Sequence, residues 1–120
     1  MANELSEGGC FCGSIRYEFP EGEHTIVNCH CGMCRKTSGA PYVSWIVVPE
    51  SEFRYTQGAP ARLESSKAGS RFFCSKCGTP VACMSTDHTG IVDVTVGSLD
   101  QPADYVPTVN IFEDSKLPWT

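Results

Sequence analysis

Cysteine placement constrains this chain more than any other feature of its sequence. Seven of the eight cysteines fall into three short clusters. The clusters are Cys10-Phe11-Cys12, Cys29-His30-Cys31-Gly32-Met33-Cys34 and Cys74-Ser75-Lys76-Cys77. Closely spaced thiols can converge on one point with little loss of chain entropy, which is what a tetrahedral metal ion requires. The spacing therefore predicts metal sites, and zinc is the metal that such thiolate sets typically hold.

The first residues of the chain bear on the redox state of these thiols. The stretch Met1–Glu7 has neither the basic region nor the apolar region of a signal peptide. No apolar run approaches the roughly 18 residues of a membrane span. We therefore expect a cytoplasmic protein with no membrane association, in which the thiols stay reduced. A disulfide framework is the less favoured alternative.

Length and charge restrict the domain organisation and the partners. A chain of 120 residues predicts a single domain over 1–120, with a modest core that metal ions would reinforce. The net charge of −5 and the pI of about 5.0 argue against nucleic acid, because its binders usually present a basic face. We expect a small-molecule partner, and the sequence leaves the oligomeric state open.

Short alternating apolar segments separated by turn residues predict an all-β fold. The predicted strands are 4–9, 13–19, 25–29, 42–48, 52–55, 61–65, 70–73, 80–84, 90–96 and 108–112. A single helical turn is expected over 32–38, ended by Gly39 and Pro41. The cysteine clusters thus fall at the ends of strands.

Cys74 and Cys77 form the strongest single signal. Two residues between thiols let a tight turn aim both sulfur atoms at one metal, and Gly78 suits the left-handed conformation of such a turn. One pair cannot complete a tetrahedron. Cys10 and Cys12 are the natural second pair, so these four residues predict a closed structural zinc site.

Cys29, Cys31 and Cys34 remain. Three protein ligands with an open fourth position are typical of a catalytic zinc, and a thiolate-rich zinc favours a substrate thiol in the fourth position. These three residues are therefore the candidate catalytic group. The alternative is a second closed site, completed by Cys83 or by a histidine such as His30.

Four residues near this group are candidates for binding the thiol substrate. Arg35 and Lys36 directly follow the cluster and could attract the carboxylates of a thiol such as glutathione. Ser44 and Trp45 on the next strand are candidates for the same pocket. A solvated basic turn, and a core position for Trp45, are the alternatives.

Taken together, the clusters resemble the family of glutathione-dependent formaldehyde-activating enzymes, whose domain also occurs in centromere protein V. The matching segments are Gly8–Tyr17, Cys29–Lys36, Phe73–Thr79, Pro107–Phe112 and Pro118-Trp119. Asn110 departs from the pattern, because many relatives carry histidine there. That change would remove either a proton carrier or a structural hydrogen bond.

The resemblance implies a β-tent of small antiparallel sheets stapled by two zinc ions. It implies a structural zinc on Cys10, Cys12, Cys74 and Cys77, and an active-site zinc on Cys29, Cys31 and Cys34. The implied reaction is that of a zinc-dependent carbon–sulfur lyase or synthase, which joins glutathione and formaldehyde in S-hydroxymethylglutathione. The alternative function is a non-catalytic zinc-binding module that interacts with other proteins.

Overall fold

The computed structural model describes residues 4–120, and its regular structure consists mainly of β-strands. Ten strands and one α-helix occur within this range. They are β1 (Leu5–Gly9), β2 (Arg16–Pro20), β3 (Ile26–Cys29), α1 (Gly32–Ser38), β4 (Val43–Pro49), β5 (Arg54–Gln57), β6 (Ala61–Glu64), β7 (Gly69–Phe73), β8 (Pro80–Ser85), β9 (Ile91–Thr95) and β10 (Val109–Ile111). The predicted all-β class is confirmed.

The strands form two sheets. One has three strands in the order β1-β2-β5, and the other has seven in the order β10-β3-β4-β9-β8-β7-β6. All pairs are antiparallel except β10 with β3, which is parallel. The larger sheet is thus wider than the small sheets implied by the family resemblance, and it ends in one parallel edge.

Alternation along β4 explains how the larger sheet uses both of its faces. Ile46 and Val48 point to one face, where they pack with Tyr17 and Phe19 of the three-stranded sheet in the main core. Trp45 points to the opposite face, as expected for a strand period of two residues. This second face packs with Cys29 and Cys34. The main core therefore holds the two sheets together. Within residues 4–120, the opposite face of the larger sheet does not contact the smaller sheet through this core, and it packs against the cysteines instead.

The helix α1 crosses that opposite face and is fixed at both ends. Cys31 is its N-cap and its sulfur accepts a hydrogen bond from Cys34 N. Gly39 ends the helix in the left-handed conformation (φ 72°), and its N–H donates to Arg35 O. A helix of seven residues is too short to be stable alone, so capping and packing on the sheet hold it in place.

No helix within residues 4–120 has both the length and the hydropathy that a membrane crossing requires.

Candidate metal centres and the adjoining cleft

Four cysteines from two hairpins meet at one point. Cys10 and Cys12 lie in the turn between β1 and β2, and Cys74 and Cys77 lie in the turn between β7 and β8. All four sulfur atoms lie within 4.8 Å of one another. Both turns contain a glycine with positive φ directly after the second cysteine, namely Gly13 and Gly78, and the left-handed conformation predicted for Gly78 is confirmed. The two turns come from different sheets, so this four-cysteine group bridges the sheets.

Hydrogen-bond donors surround the sulfur atoms of the four-cysteine group. Ile15 N donates to Cys10 Sγ at 3.2 Å, and Cys77 N donates to Cys74 Sγ at 3.5 Å. Burial opposes ionisation of the Cys10 thiol, but the N–H of Ile15 lowers its pKa to about 7. The hydroxyl of Thr79, 3.2 Å from Cys77 Sγ, lowers the pKa of that thiol to about 5. Donors arranged in this way stabilise thiolates, so the group suits a thiolate-binding metal such as zinc.

Three further cysteines form a second group on the opposite face of the larger sheet. Cys29 ends β3, Cys31 caps α1 and Cys34 lies in its first turn. Their sulfur atoms also lie within 4.8 Å of one another, and those of Cys29 and Cys34 are 3.4 Å apart. The predicted convergence of these thiols is therefore present, and the three-cysteine group could also hold a metal ion.

The two buried thiols of this group, Cys29 and Cys34, have pKa values that are shifted in opposite directions. The contact between the two sulfur atoms lowers the pKa of Cys34 to about 5 and raises the pKa of Cys29. Cys34, which also faces Arg71, is thus the thiol of the pair that ionises more readily. A thiolate at this position makes the group a suitable partner for a cation.

Arg71 supplies a positive charge beside Cys34 that we did not identify from the sequence. Its Nη1 and Nη2 atoms lie 3.7 and 3.6 Å from Cys34 Sγ, and its Nε donates to Ser65 Oγ at 3.2 Å. Arg71 is central in β7, next to Phe72 and Phe73. The sequence did contain a signal for this residue, because Arg71 is a single charged residue in a strand whose aromatic end leads directly into Cys74.

Neither Cys83 nor His30 joins the three sulfur atoms among the described residues. Cys83 packs against this cluster, and burial raises its pKa to about 11, which keeps it a neutral thiol. His30 is 2% exposed and its Nε2 lies 3.0 Å from Asn110 Oδ1. Asn110 thus provides a structural hydrogen bond.

The four residues predicted to bind substrate do not lie together in one pocket. Arg35 reaches the C-terminal segment, where its Nη1 donates to Ser115 O at 3.1 Å, and Lys36 is exposed on α1. The hydroxyl of Ser44 donates to Asn28 Oδ1 at 2.6 Å, on the sheet face opposite to Trp45. Trp45 is 5% exposed and packs with Cys29 and Cys34. Of the four, Trp45 lies against the three-cysteine group.

A cleft of about 340 Å³ adjoins this group, and we refer to it as the apolar cleft. Its lining residues come from α1, β4, β6, β7, β8 and the β7–β8 turn; they are Thr37, Ser38, Val43, Trp45, Leu63, Arg71, Phe72, Phe73, Gly78, Pro80 and Ala82. Arg71 lines the cleft and also touches Cys34, so the cleft and the three-cysteine group are contiguous.

Asp93 is a partly buried carboxyl on the same face of the sheet. It is the cross-strand partner of Cys83 on β8, which is itself the partner of Arg71 on β7. Burial raises the pKa of Asp93 to about 6. No hydrogen bond or ion pair to this carboxyl occurs in the part of the chain that the structure describes.

Comparisons with known proteins agree with this architecture. A curated protein of Halomonas elongata, whose name assigns it provisionally to the glutathione-dependent formaldehyde-activating enzymes, is 24% identical over 124 residues. The match covers 96% of this chain and 79% of that protein. A crystal structure of a Rhodobacter sphaeroides protein has the same fold, with a TM-score of 0.69 at 22% identity over 87% of this chain and 98% of its own.

A family model covers nearly the whole described chain. The model is that of the glutathione-dependent formaldehyde-activating enzyme, and it matches residues 5–115, a range that contains all seven clustered cysteines. The resemblance inferred from the cysteine motifs is thereby confirmed. The chain belongs to the glutathione-dependent formaldehyde-activating enzyme family.

Proposed function

We propose that this protein is a zinc-dependent carbon–sulfur lyase or synthase that acts on a glutathione adduct such as S-hydroxymethylglutathione. The observation that carries the proposal is the convergence of Cys29, Cys31 and Cys34 beside a cleft, with Arg71 touching both. The family supports a reaction between glutathione and formaldehyde. We also propose two zinc ions per chain, one on each cysteine group.

The two groups differ in the number of ligands that they offer. The four-cysteine group completes a tetrahedron by itself, so its role is structural. The three-cysteine group leaves one tetrahedral position for a substrate atom. A bound zinc ion would lower the pKa of a thiol in that position and so supply a nucleophilic thiolate near neutral pH.

The reaction conserves atoms and protons. In the synthase direction the substrate thiol loses its proton, its sulfur forms a bond to the aldehyde carbon, and the carbonyl π electrons move to oxygen. That oxygen then takes a proton, so the product is the neutral thiohemiacetal. The lyase direction breaks the same carbon–sulfur bond and returns the proton to sulfur.

The protein side chains hold and balance the site. Cys29, Cys31 and Cys34 are fixed by β3 and by the capped start of α1. The Arg71 guanidinium offsets the negative charge of the thiolates, which lowers the cost of keeping them in a partly buried position. Trp45 shields the buried side of the group from water.

The second candidate function is a non-catalytic zinc-binding module for protein interaction. Phe11 favours this candidate, because it lies between two cysteines of the four-cysteine group and is 94% exposed. Exposed aromatic side chains are common anchors in protein interfaces.

The test measures the rate of exchange between free formaldehyde and formaldehyde bound to glutathione. Because this reaction also proceeds without enzyme, the rate with protein must be compared with the rate without it. Exchange NMR measures the interconversion rate at equilibrium, with and without protein. We expect the protein to accelerate it, and Cys31→Ser and Cys34→Ser to lose the acceleration while the circular dichroism spectrum stays unchanged. Cys83→Ser is the matched control, since this thiol lies outside both groups, and it should retain the acceleration. Full activity in Cys34→Ser would refute the proposal.

A further inference from the structure

The apolar cleft has a composition that does not match a small hydrophilic adduct. Seven of its eleven lining residues are apolar, namely Val43, Trp45, Leu63, Phe72, Phe73, Pro80 and Ala82. Its volume of about 340 Å³ falls within the range of pockets that enclose small organic ligands. A hydroxymethyl group has a single carbon atom and would leave most of this surface uncovered.

The polar side chains of the cleft have few hydrogen-bond donors to offer. The hydroxyl of Thr37 donates to Met33 O at 2.6 Å, and the hydroxyl of Ser38 donates to Cys34 O at 2.7 Å. Both protons are thus engaged within the turn of α1. Each hydroxyl can still accept a hydrogen bond, but neither is free to donate one to a carboxylate.

Arg71 is the one cationic side chain in the lining, and it is already partly engaged. Its Nε donates to Ser65, while Nη1 and Nη2 face Cys34 Sγ. Three of its five N–H groups are thereby used, so it can pair with at most one carboxylate. Glutathione has two carboxylates, and burying both in this cleft with so few free donors would carry a large desolvation cost. At least one charged end of glutathione must accordingly lie outside the cleft.

We propose that the apolar cleft binds an alkyl or aryl group adjacent to the reacting sulfur, so that the preferred substrate is larger and more apolar than S-hydroxymethylglutathione. The apolar group belongs either to the thiol itself or to the aldehyde that has added to glutathione. The inference rests on the proposed function, because it places this group beside a sulfur atom held at the three-cysteine group.

Binding of small thiols to the zinc-loaded protein tests the inference. Isothermal titration calorimetry compares 2-phenylethanethiol with 2-mercaptoethanol, which bears a hydroxyl in place of the ring. We expect the phenyl compound to bind at least about tenfold more tightly, as burial of an aromatic ring predicts. A second arm compares the affinity of the protein for the adducts that phenylacetaldehyde and formaldehyde each form with glutathione. A gain confined to the first arm assigns the apolar group to the thiol, and a gain confined to the second assigns it to the aldehyde.

Leu63 allows the cleft to be altered without disturbing the core, since it lines the cleft and is 47% exposed. Leu63→Gln is expected to weaken 2-phenylethanethiol about fivefold and to leave 2-mercaptoethanol unchanged. Glutamine is chosen because a glutamate would pair with Arg71, the cross-strand partner of Leu63. Leu5→Gln is the matched control, at 45% exposure on a strand outside the cleft.

The outcomes separate this inference from the proposed function. Equal affinity for the two thiols and for the two aldehyde adducts would overturn the inference while leaving thiol binding, and hence the proposed function, in place. An unchanged preference in Leu63→Gln would also overturn it. A sulfur-free probe, 2-phenylethanol, tests the case in which the apolar cleft binds a ligand although the three-cysteine group binds no thiol. If it shifts the NMR signals of Trp45 and Leu63 while no thiol binds, the apolar cleft is supported and the thiol chemistry is not.

Discussion

At the scale of single residues, the contact between Arg71 and Cys34 joins the three-cysteine group to the apolar cleft. The guanidinium lies within 3.7 Å of Cys34 Sγ through both terminal nitrogens. Interactions of this kind orient a metal ligand and tune its charge, and their loss typically lowers metal affinity 10- to 100-fold.

We therefore predict that Arg71→Ala weakens zinc at the three-cysteine group by about 10- to 100-fold, while Arg71→Lys retains part of the affinity through its charge. Competition with a chromophoric chelator measures this. Arg54→Ala is the control, because Arg54 pairs with Glu18 on the three-stranded sheet, far from the group in the topology. Wild-type zinc affinity in Arg71→Ala would show that the contact is incidental.

Asp93 leads to a prediction about stability and pH. Burial raises its folded-state pKa from 3.8 to about 6, so the protonated form is favoured in the folded protein. Its contribution is fully present below pH 4 and is lost as pH rises towards 6. Besides burial, two charges act on the pKa of Asp93: that of His88 lowers it and that of Cys34 raises it.

Asp93→Asn removes this titration. Above pH 6 the variant should be more stable than the wild type, by at most about 3 kcal/mol, and the difference should shrink below pH 4. Urea unfolding at pH 4 and pH 7.5 measures both values. A difference that is equal at the two pH values would contradict the assignment.

Some contacts of the candidate site follow from local sequence patterns, and others do not. The two predicted cysteine groups coincide with the two sets of sulfur atoms that lie within 4.8 Å of one another, because thiols that are close in the sequence converge easily. Ser44 and Trp45 are neighbours in the sequence, yet they point to opposite sheet faces, as the period of a strand dictates. Arg71 is 37 residues from Cys34, so its contact depends on sheet order, which local patterns do not specify.

At the scale of elements, the turn that presents Cys74 and Cys77 depends on one backbone conformation. Gly78 has a φ of 83°, and an added Cβ would meet no atom within 4 Å. The cost of a side chain here is therefore conformational rather than steric, about 1–2 kcal/mol.

We predict that Gly78→Ala lowers both the free energy of unfolding, by about 1–2 kcal/mol, and the zinc affinity of the four-cysteine group. Gly90→Ala is the matched control, since Gly90 has a φ of 86° and equally open surroundings but lies in a turn without cysteines. Chemical denaturation and zinc competition on both variants make the comparison. Equal zinc affinities would mean that the turn geometry does not govern metal binding.

The elements themselves were largely predictable. Alternation located the strands to within a few residues, because short strands with one buried face carry that period. The helical turn was located by the turn residues Gly39 and Pro41 that follow it. The order of the strands was not predictable. In particular, the parallel pairing of β10 with β3 joins segments that are far apart in the sequence, and periodicity contains no information on such pairings.

At the scale of the whole molecule, the four-cysteine group would cross-link the two sheets when it holds the proposed zinc ion. Cys12 and Cys74 are 62 residues apart, whereas Cys29 and Cys34 are five residues apart. A cross-link across about 60 residues stabilises a fold by about 4 kcal/mol through chain entropy, and one across about five residues by about 2 kcal/mol.

Loss of the first group should therefore be the more damaging. We predict that Cys74→Ser lowers the free energy of unfolding of the zinc-loaded protein by about 4 kcal/mol, against about 2 kcal/mol for Cys34→Ser. Thermal unfolding with excess zinc, and again after chelation, measures both. After chelation the two variants and the wild type should unfold at similar temperatures. A larger loss in Cys34→Ser would contradict the structural role of the four-cysteine group.

Native mass spectrometry of the zinc-loaded protein with a thiol ligand, glutathione or 2-phenylethanethiol, tests directly whether a closed zinc site and an open, thiol-binding one occur together. We expect two zinc ions and one saturable thiol adduct in the wild type. We expect one zinc ion and no adduct in Cys34→Ser. An adduct that persists in Cys34→Ser, or a wild-type protein that takes up only one zinc under saturating metal, would contradict a closed site paired with an open, thiol-binding one.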